Sequence, residues 1–126
     1  MKKFKNLLIP AAVLIFLVFS FSANAQTVKV TGTWDFTVET TAGSGTPVFI
    51  LKQEADNSIN GTYKGQLGEA VVKGSLKGNE IKLEFTVNSM TVEYNGTVDG
   101  NNMKGKVKLA DVAEGTFTAK RRESSG

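Results

Sequence analysis

Histidine and cysteine are both absent from this chain of 126 residues. Their absence removes the usual general base near neutral pH, the thiolate nucleophile, and the commonest nitrogen and sulfur ligands for a metal. Without cysteine there are no disulfides, so stability has to come from a packed core, and no thiol follows the leader to carry a lipid. Also missing, beyond the N-terminal leader, is any stretch with a helical hydrophobic period. A nucleic-acid surface is missing too. The net charge of +3 owes its sign to Lys2, Lys3 and Lys5 near the N-terminus, and the rest of the chain is formally neutral. Lys120-Arg121-Arg122 is the only basic cluster left, too little to track a phosphate backbone.

Those three lysines precede an apolar run from Leu7 to Phe21, which ends at Ser22-Ala23-Asn24-Ala25. A basic start, an apolar centre and small residues at the end form a secretory signal. Cleavage is expected before Gln26, giving residues 1–25 as signal peptide and residues 26–126 as one domain of about a hundred residues, enough for a single core. The apolar run is shorter than the ~20 residues of a spanning helix. No membrane anchor is therefore expected after cleavage, and the product is expected to be secreted or periplasmic.

What is present is alternation. Trp34, Phe36 and Val38 alternate with Thr33, Asp35, Thr37 and Glu39, and Ile81, Leu83, Phe85 and Val87 with Lys82, Glu84 and Thr86. Met90, Val92 and Tyr94 follow the same rule, as do Met103, Val107 and Leu109. This is the period of strands buried on one face. Gly, Asn and Asp clusters separate the runs at the spacing of tight hairpins. About eight strands are predicted: 31–40, 47–54, 58–64, 69–77, 80–87, 90–98, 103–109 and 115–121. Connections this short make each strand antiparallel to the last. The fold class is all-β: a single small antiparallel meander barrel, closed so that no edge is left unpaired. Gly61, Gly74, Gly96 and Gly105 fall on the inward parity, where strands of a small barrel bend. Aromatic residues share that parity, the reverse of an outer-membrane barrel.

Catalysis finds little support. Asp35, Glu39, Glu84 and Glu93 all lie on the outward parity, where desolvation cannot prepare a general acid, so they read as surface charges paired with Lys82 and its neighbours. Asp99-Gly100-Asn101-Asn102 has hard-cation oxygens but only one acid, and reads as a hairpin turn. Ala42-Gly43-Ser44-Gly45 lacks the ending of a phosphate cradle and reads as a lid over one barrel mouth. No catalytic residue, metal site or cofactor is expected.

Gly32-Thr33-Trp34 on the first strand, with Arg121 on the last, resembles the lipocalin and avidin group, in which a Gly-x-Trp packs beneath a basic residue from the barrel's end. The long first loop, the later motifs and the helix of lipocalins are lacking. Gly32-Thr33-Trp34-Asp35-Phe36, Thr46-Pro47-Val48-Phe49, Leu51-Lys52-Gln53, Gly61-Thr62-Tyr63, Leu67-Gly68-Glu69-Ala70 and Gly115 to Ala119 look like an uncharacterised family of small secreted bacterial β-barrel proteins. That likeness spans nearly the whole chain and implies an accessory module with no known activity.

Two functions of different kinds remain open. One is a binding module taking a small apolar ligand at the barrel mouth, with Trp34, Phe36, Tyr63, Phe85, Tyr94 and Arg121 as candidate contacts and the two phenols to orient it. A carrier would open an apolar cavity of at least ~300 Å³. With so many large inward side chains, a filled base and a shallow mouth are expected. The other is an interaction protein of the cell envelope that docks through Val48 and Ile50, because both faces of their strand are apolar. Oligomeric state is open.

Overall fold

The computed structural model describes residues 28–123, so the predicted signal peptide and its cleavage site lie outside the described residues. Nine strands run in chain order: β1 (Gly32–Thr40), β2 (Gly43–Gly45), β3 (Val48–Gln53), β4 (Ser58–Gly65), β5 (Gly68–Lys77), β6 (Glu80–Val87), β7 (Met90–Asp99), β8 (Asn102–Leu109) and β9 (Ala113–Arg121). All pairings are antiparallel, each strand from β3 onward pairs with the next, and β1 pairs with β9 from Trp34↔Arg121 to Thr40↔Gly115. That last seam closes the barrel.

Eight of these strands are the predicted ones, and β2 is additional. β3 covers the second edge of β1 only as far as Asp35↔Val48. Beyond it, the Phe36 amide donates to the Pro47 carbonyl (3.0 Å), and β2 takes over from Val38↔Gly45 to Thr40↔Gly43. The glycine segment expected as a lid is thus a strip of wall, tied further by the Thr40 hydroxyl, which donates to the Gly43 carbonyl at 2.8 Å. Gly and Ser carry no alternation, so this pairing had no signal in the pattern.

Inward side chains form one core in which Trp34, Phe36, Phe49, Leu83 and Val72 are essentially inaccessible. An aromatic layer crosses the middle: Phe36 lies 4.2 Å from Phe49 and 5.2 Å from Phe117, and Tyr63 stacks on Phe85 at 4.2 Å between ring centroids. So narrow a barrel needs close backbone approach at its bends. Gly96 and Gly105 face each other across β7 and β8, and a Cβ on Gly105 would collide with the Asn95 carbonyl oxygen and the Gly96 Cα.

The two ends differ. At the base the chain enters through Val30, which is fully buried. The Trp34 indole N–H donates to the Val30 carbonyl (2.9 Å), and the Gln53 side chain accepts from the Val30 amide (2.9 Å) while donating to the Val28 carbonyl (3.2 Å). Above them the Arg121 guanidinium lies 4.6 Å from the Trp34 ring centre. It donates to the carbonyls of Thr31, Lys29 and Gly100 and to the Asn101 side chain. The Asp99–Asn102 turn therefore spends oxygens on Arg121. At the opposite end lie the β1–β2, β4–β5, β6–β7 and β8–β9 turns. Towards that end β5 and β6 part: their ladder runs from Lys77↔Glu80 only to Lys73↔Glu84.

Candidate ligand site at the barrel mouth

The end that Val30 does not seal holds a cavity of about 140 Å³. Its apolar wall comes from Val38 on β1, Pro47, Leu67 in the β4–β5 turn, Val92 on β7 and Leu109 on β8. Thr40, Ser44 and Gln66 stand at its rim, and the rings of Tyr63 and Tyr94 also line it. The volume is less than half that expected of a carrier, because the aromatic layer fills the barrel from below. Wider depressions of 340 and 440 Å³ lie on the outside of the wall, lined mainly by outward side chains such as Thr97, Lys104 and Lys82. The interior chemistry is confined to the mouth.

Among the described residues no lysine, arginine, aspartate or glutamate lines this cavity. Its polar lining consists of the two phenols together with the Thr40 and Ser44 hydroxyls and the Gln66 amide at the rim. Burial, reinforced by the neighbouring Tyr63, pushes the Tyr94 phenol well above the usual tyrosine range. Burial also raises Tyr63, opposed by the hydrogen bond its oxygen accepts from the Leu67 amide at 3.5 Å. Both hydroxyls are protonated donors at neutral pH. Among the described residues the Tyr94 hydroxyl has no hydrogen-bond partner, although the residue is 4 % exposed.

The six candidate contacts separate by height in the barrel. Tyr63 and Tyr94 line the cavity. Trp34 and Arg121 form the cap at the far end, and Phe36 and Phe85 belong to the aromatic layer between. None of these four lines the cavity, because inward parity assigns a face and not a level. Val38, Val92 and Leu109 carried inward parity as well, and Pro47 and Leu67 sit outside the alternation. Shared level is what selects these five.

Outside, Ile50 is 44 % exposed and Val48 half-buried. Residues 28–30 pack at the base and leave Ile50 uncovered. Across the strands Ile50 is in register with Thr62, and Thr62 with Val71, which is 68 % exposed. The exposed apolar side chains of Ile50 and Val71 thus lie in one cross-strand row, Thr33–Ile50–Thr62–Val71, separated by the partly exposed Thr62. Asp35 sits exposed beside it, and Arg122 pairs with its carboxylate at 2.6 Å and holds it below the usual range. Glu84 and Glu93 face each other between Lys73 and Lys108 in the ladder. The outward carboxylates are surface charges, and among the described residues Asp35 is the one of them in an ion pair, with Arg122.

Fold and site together define an all-β meander barrel with a small apolar mouth. Comparison with family models and with curated proteins gives no match. Among solved structures, a redesigned β-barrel superposes with a TM-score of 0.64 at 18 % identity, covering 74 % of this chain and 91 % of that one. The redesigned barrel mFAP1, bound to DFHBI, gives 0.59 at 17 % identity over 72 % and 94 %. A fatty-acid-binding protein of Echinococcus granulosus gives 0.46 at 12 % identity over 74 % and 97 %. The first two likenesses establish the barrel fold.

Proposed function

We propose that this chain is an exported, non-enzymatic barrel that binds a small apolar ligand at its mouth. The observation that carries the reading is the apolar cavity at the end opposite the Val30 seal, with two phenols as its orienting groups. Apolar walls with a few placed polar groups are the usual make-up of a ligand site. A barrel of the same fold, mFAP1, is described with the small molecule DFHBI bound. Export rests on the N-terminal pattern and on the resemblance to small secreted bacterial β-barrel proteins, and sequencing of the exported product should begin at Gln26. Toluene titration should shift the methyl resonances of Val38, Val92 and Leu109, and Leu109→Trp, placed to fill the cavity, should abolish the shifts of Val38 and Val92. Unmoved methyl groups in the unsubstituted protein would defeat the reading.

A second reading is docking of the outer face on another envelope protein. The aligned exposure of Ile50 and Val71 favours it. Paired Ile50→Lys and Val71→Lys substitutions should then abolish self-association or cross-linking to an envelope partner while leaving the fold intact. Unchanged cross-linking would remove this reading.

A further inference from the structure

We infer that the mouth is selective for a neutral, ring-sized molecule carrying one oxygen that accepts a hydrogen bond, and that the Tyr94 hydroxyl is the group that receives that oxygen. This rests on the binding reading above and narrows it.

Size is the first argument. A cavity of about 140 Å³ is close to the ~150 Å³ apolar cavity that takes up a single benzene ring. A six-membered ring fills it, whereas a long alkyl chain would place only its first few carbons inside and leave the remainder in water. Phe36, Phe49, Phe85 and Phe117 block any deeper path, since their rings pack against Tyr94 with centroids 5.1–6.2 Å away.

Charge is the second argument. Among the described residues the lining contains no ionisable group besides the two phenols, and these are held protonated. A carboxylate drawn into the cavity would lose its hydration with no cation to replace it. A carboxylate left in the solvent would keep its water but contribute nothing to recognition.

Tyr94 itself points the same way. Buried hydroxyls are nearly always hydrogen-bonded, and one without a partner calls for an explanation. The Tyr94 hydroxyl has none among the described residues and its side chain lines the cavity, whereas the Tyr63 oxygen already accepts a hydrogen bond from the Leu67 amide, its own O–H proton being left without an acceptor among the described residues. Tyr94 is thus a donor without an acceptor, and a ketone or ether oxygen on the ligand supplies one. A site built to bond such an oxygen discriminates strongly against the analogue that lacks it.

The experiment is a binding series by calorimetry or chemical-shift titration with cyclohexanone, methylcyclohexane and cyclohexanecarboxylate on the protein and on its Tyr94→Phe and Tyr63→Phe variants. Tyr94→Phe removes one oxygen and leaves the ring packing. Cyclohexanone should bind at least tenfold more tightly than methylcyclohexane, and the carboxylate more weakly than either. In Tyr94→Phe the advantage of the ketone should shrink to less than twofold while methylcyclohexane binds as before. In Tyr63→Phe most of the advantage should persist. Equal affinity for ketone and hydrocarbon, an advantage that survives Tyr94→Phe, or a carboxylate that matches the ketone would overturn the inference and leave the binding reading standing. Failure of all three rings to bind would overturn both.

Discussion

Arg121 covers Trp34 from the far side of the barrel seam: the two are in register across β1 and β9, with the guanidinium 4.6 Å from the indole centre. The cation-π contact is one part of a larger arrangement, since the same guanidinium gathers the carbonyls of Lys29 and Thr31 with the Asp99–Asn102 turn. Arg121→Ala should cost about 2 kcal/mol, most of it from charge-assisted hydrogen bonds. In a Trp34→Phe background the loss should fall by about 0.5–1 kcal/mol and not vanish. Lysine offers a point charge in place of a fork, so Arg121→Lys should recover less than half. Chemical denaturation of the four variants measures each of these.

Alkaline pH should expose the buried phenols. Unfolding frees both tyrosines to ionise near pH 10, whereas the fold raises their pKa values and keeps them protonated. Above about pH 10 the unfolded chain therefore holds fewer protons than the folded one. Stability is then complete below that pH and declines above it, by at most about 1.4 kcal/mol per pH unit for each tyrosine. Phenolate absorbance should rise together with loss of the fold, and Tyr94→Phe should flatten the decline. Phenolate appearing well before unfolding would contradict the burial.

Gly105 and Gly78 are glycines for different reasons. A side chain at Gly105 meets backbone on the neighbouring strand, whereas Gly78, with φ of 63°, has open space around its Cβ position. Gly105→Ala should cost about 3 kcal/mol or more, because backbone must move. Gly78→Ala should cost only the ~1–2 kcal/mol of left-handed backbone strain. Thermal midpoints rank the two.

The Asn88-Ser89 turn between β6 and β7 places both residues at positive φ, 52° and 66°. Serine is the poorer occupant of the second position, where an Asn-Gly turn is preferred. Ser89→Gly relieves ~1–2 kcal/mol of strain against ~0.5–1 kcal/mol of added chain entropy, for a net gain of about 0.5–1 kcal/mol in unfolding free energy.

The strands were legible because a surface buried on one side imposes a period of two, and Trp34, Phe36 and Val38 display it without interruption. The meander was legible from connection lengths, closure from one-sided alternation over some eight strands that would otherwise leave open edges, and the cap from Trp34 and Arg121 on the first and last strands. The mouth was legible only in Tyr63 and Tyr94. Trp34 and Tyr94 share inward parity yet lie near opposite ends, a difference set by strand stagger, which alternation does not encode. Val30 carries no signal in the alternation for another reason: it is buried by chain entry at the base and belongs to no strand. Val71 gives none either, because its exposed apolar side chain matters only beside Ile50, two strands away in register.

The seam between β1 and β9 also governs the order of assembly. From β3 onward each strand pairs with its chain neighbour, and those hairpins form as soon as their residues are available, at little loop-closure cost. Trp34↔Arg121 through Thr40↔Gly115 instead joins the two ends of the barrel. A chain emerging from its N-terminus holds β1 with an unpaired edge until its last strand arrives, and an unpaired edge invites pairing between molecules. The β1–β9 seam, the pairing of greatest sequence separation in the barrel, is therefore expected to close last, and a chain cut short before Gly115 would leave two open edges, on β1 and on β8, as starting points for aggregation.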